Sequence, residues 1–136
     1  MQVAVLGLGR MGMQIAKRLH KNKFDVFAWN RSEAPRKEFE DFGGKVFAGE
    51  KDLVAAMRDK ERMFWVMLPQ GVIEGFLFGE NGLANLLKEG DILIEGGNSF
   101  YKESIRRAEI CADKRIIFYD AGTSGGVWGE KTCGTW

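Results

Sequence analysis

VAVLGLGRMG, residues 3–12, is the stretch on which the reading of the whole chain turns. A short apolar run, Val3 to Leu6, stops at Gly7, and glycines recur at positions 9 and 12. A Gly-x-Gly-x-x-Gly spacing says little alone; it becomes informative where a strand precedes it and a helix follows. Both conditions hold. Gln2–Leu6 has the composition of a strand. Met11–Lys21 has helical periodicity, with Met11, Ile15 and Leu19 at i, i+4 and i+8. Each glycine then has a distinct task. Gly7 permits a tight turn, Gly9 lets a pyrophosphate approach the backbone, and Gly12 lets helix and strand pack closely. The helix start supplies unpaired N–H groups and the positive end of a dipole, both suited to phosphate.

Outward from this loop, short apolar runs alternate with longer amphipathic ones. Strands are predicted at Asp25–Trp29, Lys45–Phe47, Met63–Leu68, Ile92–Glu95 and Ile116–Asp120. Helices are predicted between them. One starts at Ser32, has Pro35 in its first turn and ends at Gly43-Gly44. Others cover residues 51–60, then 71–87 with a turn at 79–82, and finally 101–113 with Ile105, Ala108 and Ala112 facing inward. The run MFWVML, residues 63–68, is apolar on both strand faces, as in a parallel sheet covered on both sides. The expected fold is α/β: a Rossmann-type, doubly wound, mainly parallel sheet in three α/β/α layers.

The totals exclude several classes. The chain has 136 residues, enough for one domain, and 45% of them are apolar. Twenty basic and nineteen acidic residues nearly cancel, so no overall field favours nucleic acid or an anionic membrane. No apolar run approaches ~18 residues, which argues against a membrane span. Cys111 and Cys133 lack metal-site spacing, and their small number fits a reducing compartment. No metal site and a cytoplasmic location are therefore expected.

In an open α/β sheet, ligands bind beyond the carboxyl ends of the strands. A dinucleotide fold selective for NAD carries Asp or Glu at the end of its second strand, about 20 residues beyond the glycines. Here that position reads Trp29-Asn30-Arg31-Ser32, with no carboxylate. An amide, a guanidinium and a hydroxyl can surround a 2′-phosphate without repulsion. NADP is thus preferred over NAD, with Arg10 a further source of charge or a solvated side chain. After the fifth strand comes GGNSFYKES, residues 96–104. Asn98 or Ser99 can cap the following helix there, or Asn98 can face a ligand. After the sixth, Ser124 and the amides of Gly125 and Gly126 can form an anion-binding concavity or a plain turn. His20 lies far from the strand ends and reads as a surface or capping residue; Trp65 reads as core. Trp128 is open between a ligand-side lid and an interface contact.

Together GLGRMG, NRS, GGNSFYKES and GTSGG resemble the cofactor domain of decarboxylating 6-phosphogluconate dehydrogenases. The resemblance is strongest to their shorter, bacterial-like branch, where text similar to SGGVWG occurs. It runs from Met1 to about Gly129. It implies that Gly7, Leu8, Gly9, Arg10, Met11 and Gly12 form the dinucleotide loop. Asn30, Arg31 and Ser32 would meet the 2′-phosphate, and Leu68, Pro69 and Gln70 would flank the cofactor. Asn98 would touch both cofactor and substrate, and Ser124, Gly125 and Gly126 the sugar acid. The implied reaction oxidises 6-phosphogluconate with NADP and releases CO2, giving ribulose 5-phosphate in the pentose phosphate pathway. The lysine and glutamate that the family uses as base and acid have no counterpart in these residues, so no catalytic residue is assigned. They belong to a large helical domain that also carries dimer contacts, and a homodimer is implied for the full-length enzyme. Residues 1–120 then form the NAD(P)-binding domain and 121–136 begin a substrate-binding segment. Glu130–Trp136 departs from the family's text, and Lys131 does not fit as the catalytic lysine. The chain reads as a domain without its helical partner, inactive or nearly so alone. A non-catalytic NADP(H)-sensing module and the cofactor domain of another β-hydroxyacid dehydrogenase are the alternatives; GGNS argues against the latter.

Overall fold

The computed structural model describes residues 1–97 and 101–121. Among these residues six strands and five helices alternate: β1 (Gln2–Leu6), α1 (Arg10–Lys21), β2 (Asp25–Trp29), α2 (Glu33–Phe42), β3 (Lys45–Phe47), α3 (Glu50–Ala56), β4 (Arg62–Val66), α4 (Gln70–Phe78), β5 (Ile92–Glu95), α5 (Tyr101–Asp113) and β6 (Ile117–Asp120). A single 3-10 turn, Leu83–Asn85, follows α4. The strands form one sheet in the order β3-β2-β1-β4-β5-β6, and every neighbouring pair is parallel. This is the doubly wound Rossmann arrangement expected from the sequence, with its order reversing between β1 and β4.

Alternation along the strands splits the core into two layers. Ala4, Leu6, Phe27, Phe64, Val66 and Leu93 face α3, α4 and α5, which contribute Leu53, Ile73, Leu77 and Cys111. Val5, Val26, Ala28 and Trp65 face α1 and α2, which contribute Met13, Ile15, Ala16 and Phe39. Helices on both faces bury most of the central strands: Ala4, Val5, Leu6, Phe64 and Val66 expose nothing. His20 fills the seam between α1 and α2, its ring 6.0 Å from that of Phe39 and 5.7 Å from that of Phe42.

The structure corrects three helices. In α5, Ile105 is 55% exposed and Ala112 is exposed, while Ser104, Arg107 and Cys111 are buried. The helix is turned by roughly one residue, about 100°, from the apolar face expected. A buried carboxylate, Glu95, requires the Arg107 cation on that side, and this outweighs the apolar periodicity. In α1 the buried residues are Gly12, Met13, Ile15 and Ala16, with Met11 and Leu19 only half-buried, because Gly12 is the point of contact with β1. In α3 the helix stops at Ala56, not at residue 60. Arg62, the first residue of β4, explains the stop. Its Nη1 donates to the carbonyls of Val54 (3.3 Å) and Met57 (3.0 Å), closing the helix end. Its Nε also donates to Asp91 Oδ1 at 3.0 Å, and both side chains are buried. This pair lies at the amino-terminal ends of the strands, opposite the loops that follow them.

Candidate functional site

The site begins where β1 meets α1. Gly7 has φ +108°, a conformation that other residues rarely adopt, and its N–H donates to the Trp29 carbonyl at 2.8 Å. A β-carbon on Gly7 would fall 2.3 Å from the Met67 carbonyl oxygen, and one on Gly12 would fall 1.9 Å from that of Gly7. Neither position admits a side chain. At Gly9 the opposite holds: a β-carbon there would meet no atom of the described residues within 4 Å. Packing among the described residues therefore does not call for a glycine at position 9, and its open side is where a ligand can reach the backbone. The first turn of α1 holds no acidic residue, so no carboxylate of that turn opposes an anion at the helix start. These features fit the pyrophosphate of a dinucleotide.

The end of β2 is tied to this loop. Asn30 Oδ1 accepts a hydrogen bond from the Leu8 N–H at 2.9 Å, and Asn30 Nδ2 donates to the Ser32 carbonyl at 3.1 Å. Both ends of the carboxamide are thus engaged in holding the two loops together. Arg31 and Ser32 are exposed, as is Arg10. Ser32 is the N-cap residue of α2 by its backbone, but its hydroxyl makes no cap hydrogen bond. Its carbonyl accepts a bond from Arg36 Nε at 3.3 Å, which brings a further guanidinium to the β2–α2 turn that the sequence reading did not single out. A cleft of about 430 Å³ beside the glycine loop is lined by Gly9, Arg10, Gln14, Lys17, Pro35 and Glu38, among others.

Across the switch point, β4 and β5 bring two more loops together. Leu68 is half-buried, while Pro69 and Gln70 are exposed at the start of α4. Gly96 follows β5; a β-carbon on it would lie 2.3 Å from Met67 Sδ. One on Gly97 would lie 3.0 Å from the Leu68 carbonyl oxygen. The paired glycines are thus explained by the close passage of the β4 and β5 loops. Trp65 is buried beneath them. Asn98, Ser99, Thr123, Ser124, Gly125, Gly126, Trp128 and Cys133 lie outside the described residues, as does the segment 130–136.

Beneath the β5 loop lies a charge cluster that sequence reading missed. Glu95 is fully buried, and its Oε1 accepts a bond from Arg107 Nη1 at 2.7 Å. Burial raises the Glu95 carboxyl above its ordinary range, against the pull of Arg107. Arg107 Nε also donates to Glu74 Oε1 on α4 at 3.2 Å, and Arg106 Nη2 reaches the same oxygen at 2.6 Å. The Arg106 bond, more than the others, holds Glu74 below the usual carboxylate range. The one signal available beforehand was a glutamate closing an otherwise apolar strand, ILIE at residues 92–95. Among the described residues, no cluster of three His, Cys, Asp or Glu side chains could hold a metal ion, and no helix is long and apolar enough to cross a membrane.

Residues 2–135 match the family model described as the NAD binding domain of 6-phosphogluconate dehydrogenase. The chain belongs to that family. Two curated members illustrate the range. The NAD(+)-dependent, decarboxylating 6-phosphogluconate dehydrogenase of Haloferax volcanii is 35% identical over 132 residues, which cover 96% of this chain and 42% of that protein. The decarboxylating 6-phosphogluconate dehydrogenase of Haemophilus influenzae is 34% identical over 134 residues, covering 95% of this chain and 27% of that protein. The chain thus spans well under half the length of these dehydrogenases. Among solved structures, Psf3 in complex with NADP+ and 2-OPP superposes with a TM-score of 0.82 at 24% identity, covering 92% of this chain and 43% of that one, which establishes the shared fold. NAD and NADP both occur among these proteins, so the dinucleotide class is common to them while the choice between the two is not.

Proposed function

We propose that this chain is the cofactor-binding domain of an NADP-dependent oxidoreductase that oxidatively decarboxylates 6-phosphogluconate to ribulose 5-phosphate. The observation that carries the reading is the open backbone at Gly9 set beside a β2 end that has no carboxylate. The glycine loop, Gly7 to Gly12, takes the pyrophosphate. Asn30 holds that loop against β2, leaving exposed Arg31 and Ser32, with Arg10 nearby, to meet a 2′-phosphate. Leu68, Pro69, Gln70 and Asn98 flank the nicotinamide end, and Asn98, Ser124, Gly125 and Gly126 contact the sugar acid. When bound, the dinucleotide supplies the hydride acceptor; this chain's residues bind and orient it. In this division residues 1–120 hold the cofactor and 121–136 begin the substrate segment. The proton-transfer groups come from a helical domain outside these 136 residues.

NAD is the competing reading, favoured by the name of the Haloferax relative and by the engagement of the Asn30 carboxamide. Titration of the purified chain with NADP and NAD separates the two. Tighter binding of NADP is expected; equal or reversed affinity would remove the argument from Arg31 and Ser32. Turnover of 6-phosphogluconate by the chain alone is expected to be negligible, and sustained NADPH production would show that the acid and base lie within it.

A further inference from the structure

Arg107 sits in the middle of α5, yet its guanidinium holds the other two elements behind the crevice. Nη1 grips Glu95, the last residue of β5, at 2.7 Å, and Nε grips Glu74 on α4 at 3.2 Å. Immediately beyond Glu95 is the Gly96-Gly97 turn, and immediately before α4 is the Met67–Pro69 loop. Those two segments touch, since a β-carbon on Gly97 would come within 3.0 Å of the Leu68 carbonyl. One side chain therefore bridges the two elements that carry these adjoining loops.

Stability alone is weak ground for this arrangement. The Arg107 side chain is 4% exposed and that of Glu95 is 0% exposed, and apolar groups of similar volume often fill such space at equal or better stability. What an arginine adds is direction: its planar fork holds two carboxylates at fixed angles, which a lysine ammonium cannot do. Glu95 Oε2 has no hydrogen-bond partner among the described residues, so the carboxylate is aligned by its Oε1 bond to Arg107.

We propose that Arg107 is a positioning residue for the nicotinamide half of the dinucleotide, acting through Glu95 and Glu74 on the loops that follow β5 and β4. This rests on the cofactor-domain reading above. In a doubly wound sheet each half takes one nucleotide. The β1–β3 half ends in the glycine loop and Arg31, so it takes the adenosine phosphate. Glu95 and Glu74, the two carboxylates that Arg107 holds, both belong to the β4–β6 half.

The test uses the 136-residue chain and two ligands. NADPH spans both halves; 2′,5′-ADP occupies only the first. If NAD proves the tighter cofactor, NADH and 5′-AMP replace them. Glu74→Ala cuts the α4 arm at a side chain that is 44% exposed, so the fold is retained. The pair Arg107→Met with Glu95→Leu removes both buried charges together. Each is expected to weaken NADPH binding by ~5-fold or more while leaving 2′,5′-ADP binding unchanged. Arg107→Lys keeps the charge but not the fork, and an intermediate loss is expected. Unchanged NADPH affinity, parallel loss of both ligands, or unfolding of both variants would each overturn the proposal, reducing Arg107 to a structural ion pair. If the unaltered chain binds 2′,5′-ADP but gains nothing from the nicotinamide half, the positioning role fails while the adenosine site stands. If it binds neither ligand, the cofactor-domain reading itself fails.

Discussion

Gly12 rests directly on the carbonyl oxygen of Gly7: a β-carbon on Gly12 would lie 1.9 Å from that atom. Since the obstacle is backbone at the root of β1, it cannot move aside as a flexible side chain would. Gly9, three residues earlier, has no such neighbour within 4 Å among the described residues. The two glycines of one motif are therefore under different constraints: Gly12 is held by backbone contact, and Gly9 by no contact of that kind among these residues.

Gly12→Ala is expected to destabilise the chain by about 3 kcal/mol or more, because overpacking against fixed backbone displaces α1 from the sheet. Gly9→Ala is expected to leave the unfolding midpoint unchanged and to weaken dinucleotide binding, since its methyl group enters the space open to the pyrophosphate. Thermal denaturation and ligand titration of the two variants check this. Similar melting losses in both would show that Gly9 is a packing glycine too.

Arg31→Ala is expected to reduce affinity for NADP by roughly tenfold, within the range for a charge-assisted hydrogen bond, and to leave NAD affinity nearly unchanged. The ratio of the two dissociation constants is the quantity to measure, because it cancels any general effect on the loop. Asn30→Ala should behave differently. It removes the Leu8 N–H acceptor and the Ser32 carbonyl donor, so both dinucleotides should bind more weakly.

These contrasts mark what the sequence makes legible. Gly7 and Gly12 could be read directly because their constraint is close in sequence: a turn at Gly7 and a contact of Gly12 with the Gly7 carbonyl. The strand positions were also readable, since short apolar runs covered on both faces look alike wherever they occur; Gln2–Leu6, Asp25–Trp29, Lys45–Phe47 and Ile92–Glu95 form as expected. The charged partners were not readable. Arg107 in a helix looks like a solvated cation, and only the fold reveals Glu95 behind it. Arg62 and Asp91 are 29 residues apart and pair because β4 and β5 are neighbours. The inward face of α5 was misjudged for this reason: apolar spacing ranks Ile105 above Arg107, while the buried carboxylate reverses that order. Gly96 and Gly97 announced a turn, but their reason, the adjoining β4 loop, is a tertiary fact.

Asp91→Ala is expected to cost about 3–5 kcal/mol, the range for leaving a buried charge without its partner. Asp91 accepts from Arg62 Nε at 3.0 Å and from the Lys88 N–H at 2.8 Å, so its loss also strands a backbone donor. Arg62→Met should be costly for a related reason, because the carbonyls of Val54 and Met57 lose their donor. Urea denaturation gives the comparison. Since this pair lies at the opposite ends of the strands from the loops, the residual folded chain should keep its ligand affinity. A binding loss larger than the unfolded fraction explains would contradict that separation.

Glu95 and Glu74 should give the chain pH dependences of opposite sign. Burial is the largest influence on Glu95 and raises its carboxyl; Arg107 opposes the rise, while Asp120 and Glu74 add to it. Between its ordinary value of 4.5 and its raised folded value, the folded chain holds more protons than the unfolded one, so stability falls as pH rises through that window. Glu74 is lowered, chiefly by its bond to Arg106. Its contribution is present above 4.5 and is lost as pH falls through its folded value. Glu95→Gln removes the first group's titration: relative to the unaltered chain, this variant should gain stability as pH rises from about 4 to 7. Glu74→Gln should show the reverse trend, its disadvantage shrinking as pH falls from about 5 to 3. Unfolding free energies measured across that range for the three proteins decide it. A Glu95→Gln difference that stays flat with pH would mean that the buried carboxyl ionises as readily in the fold as outside it, and that Arg107 fully offsets its burial.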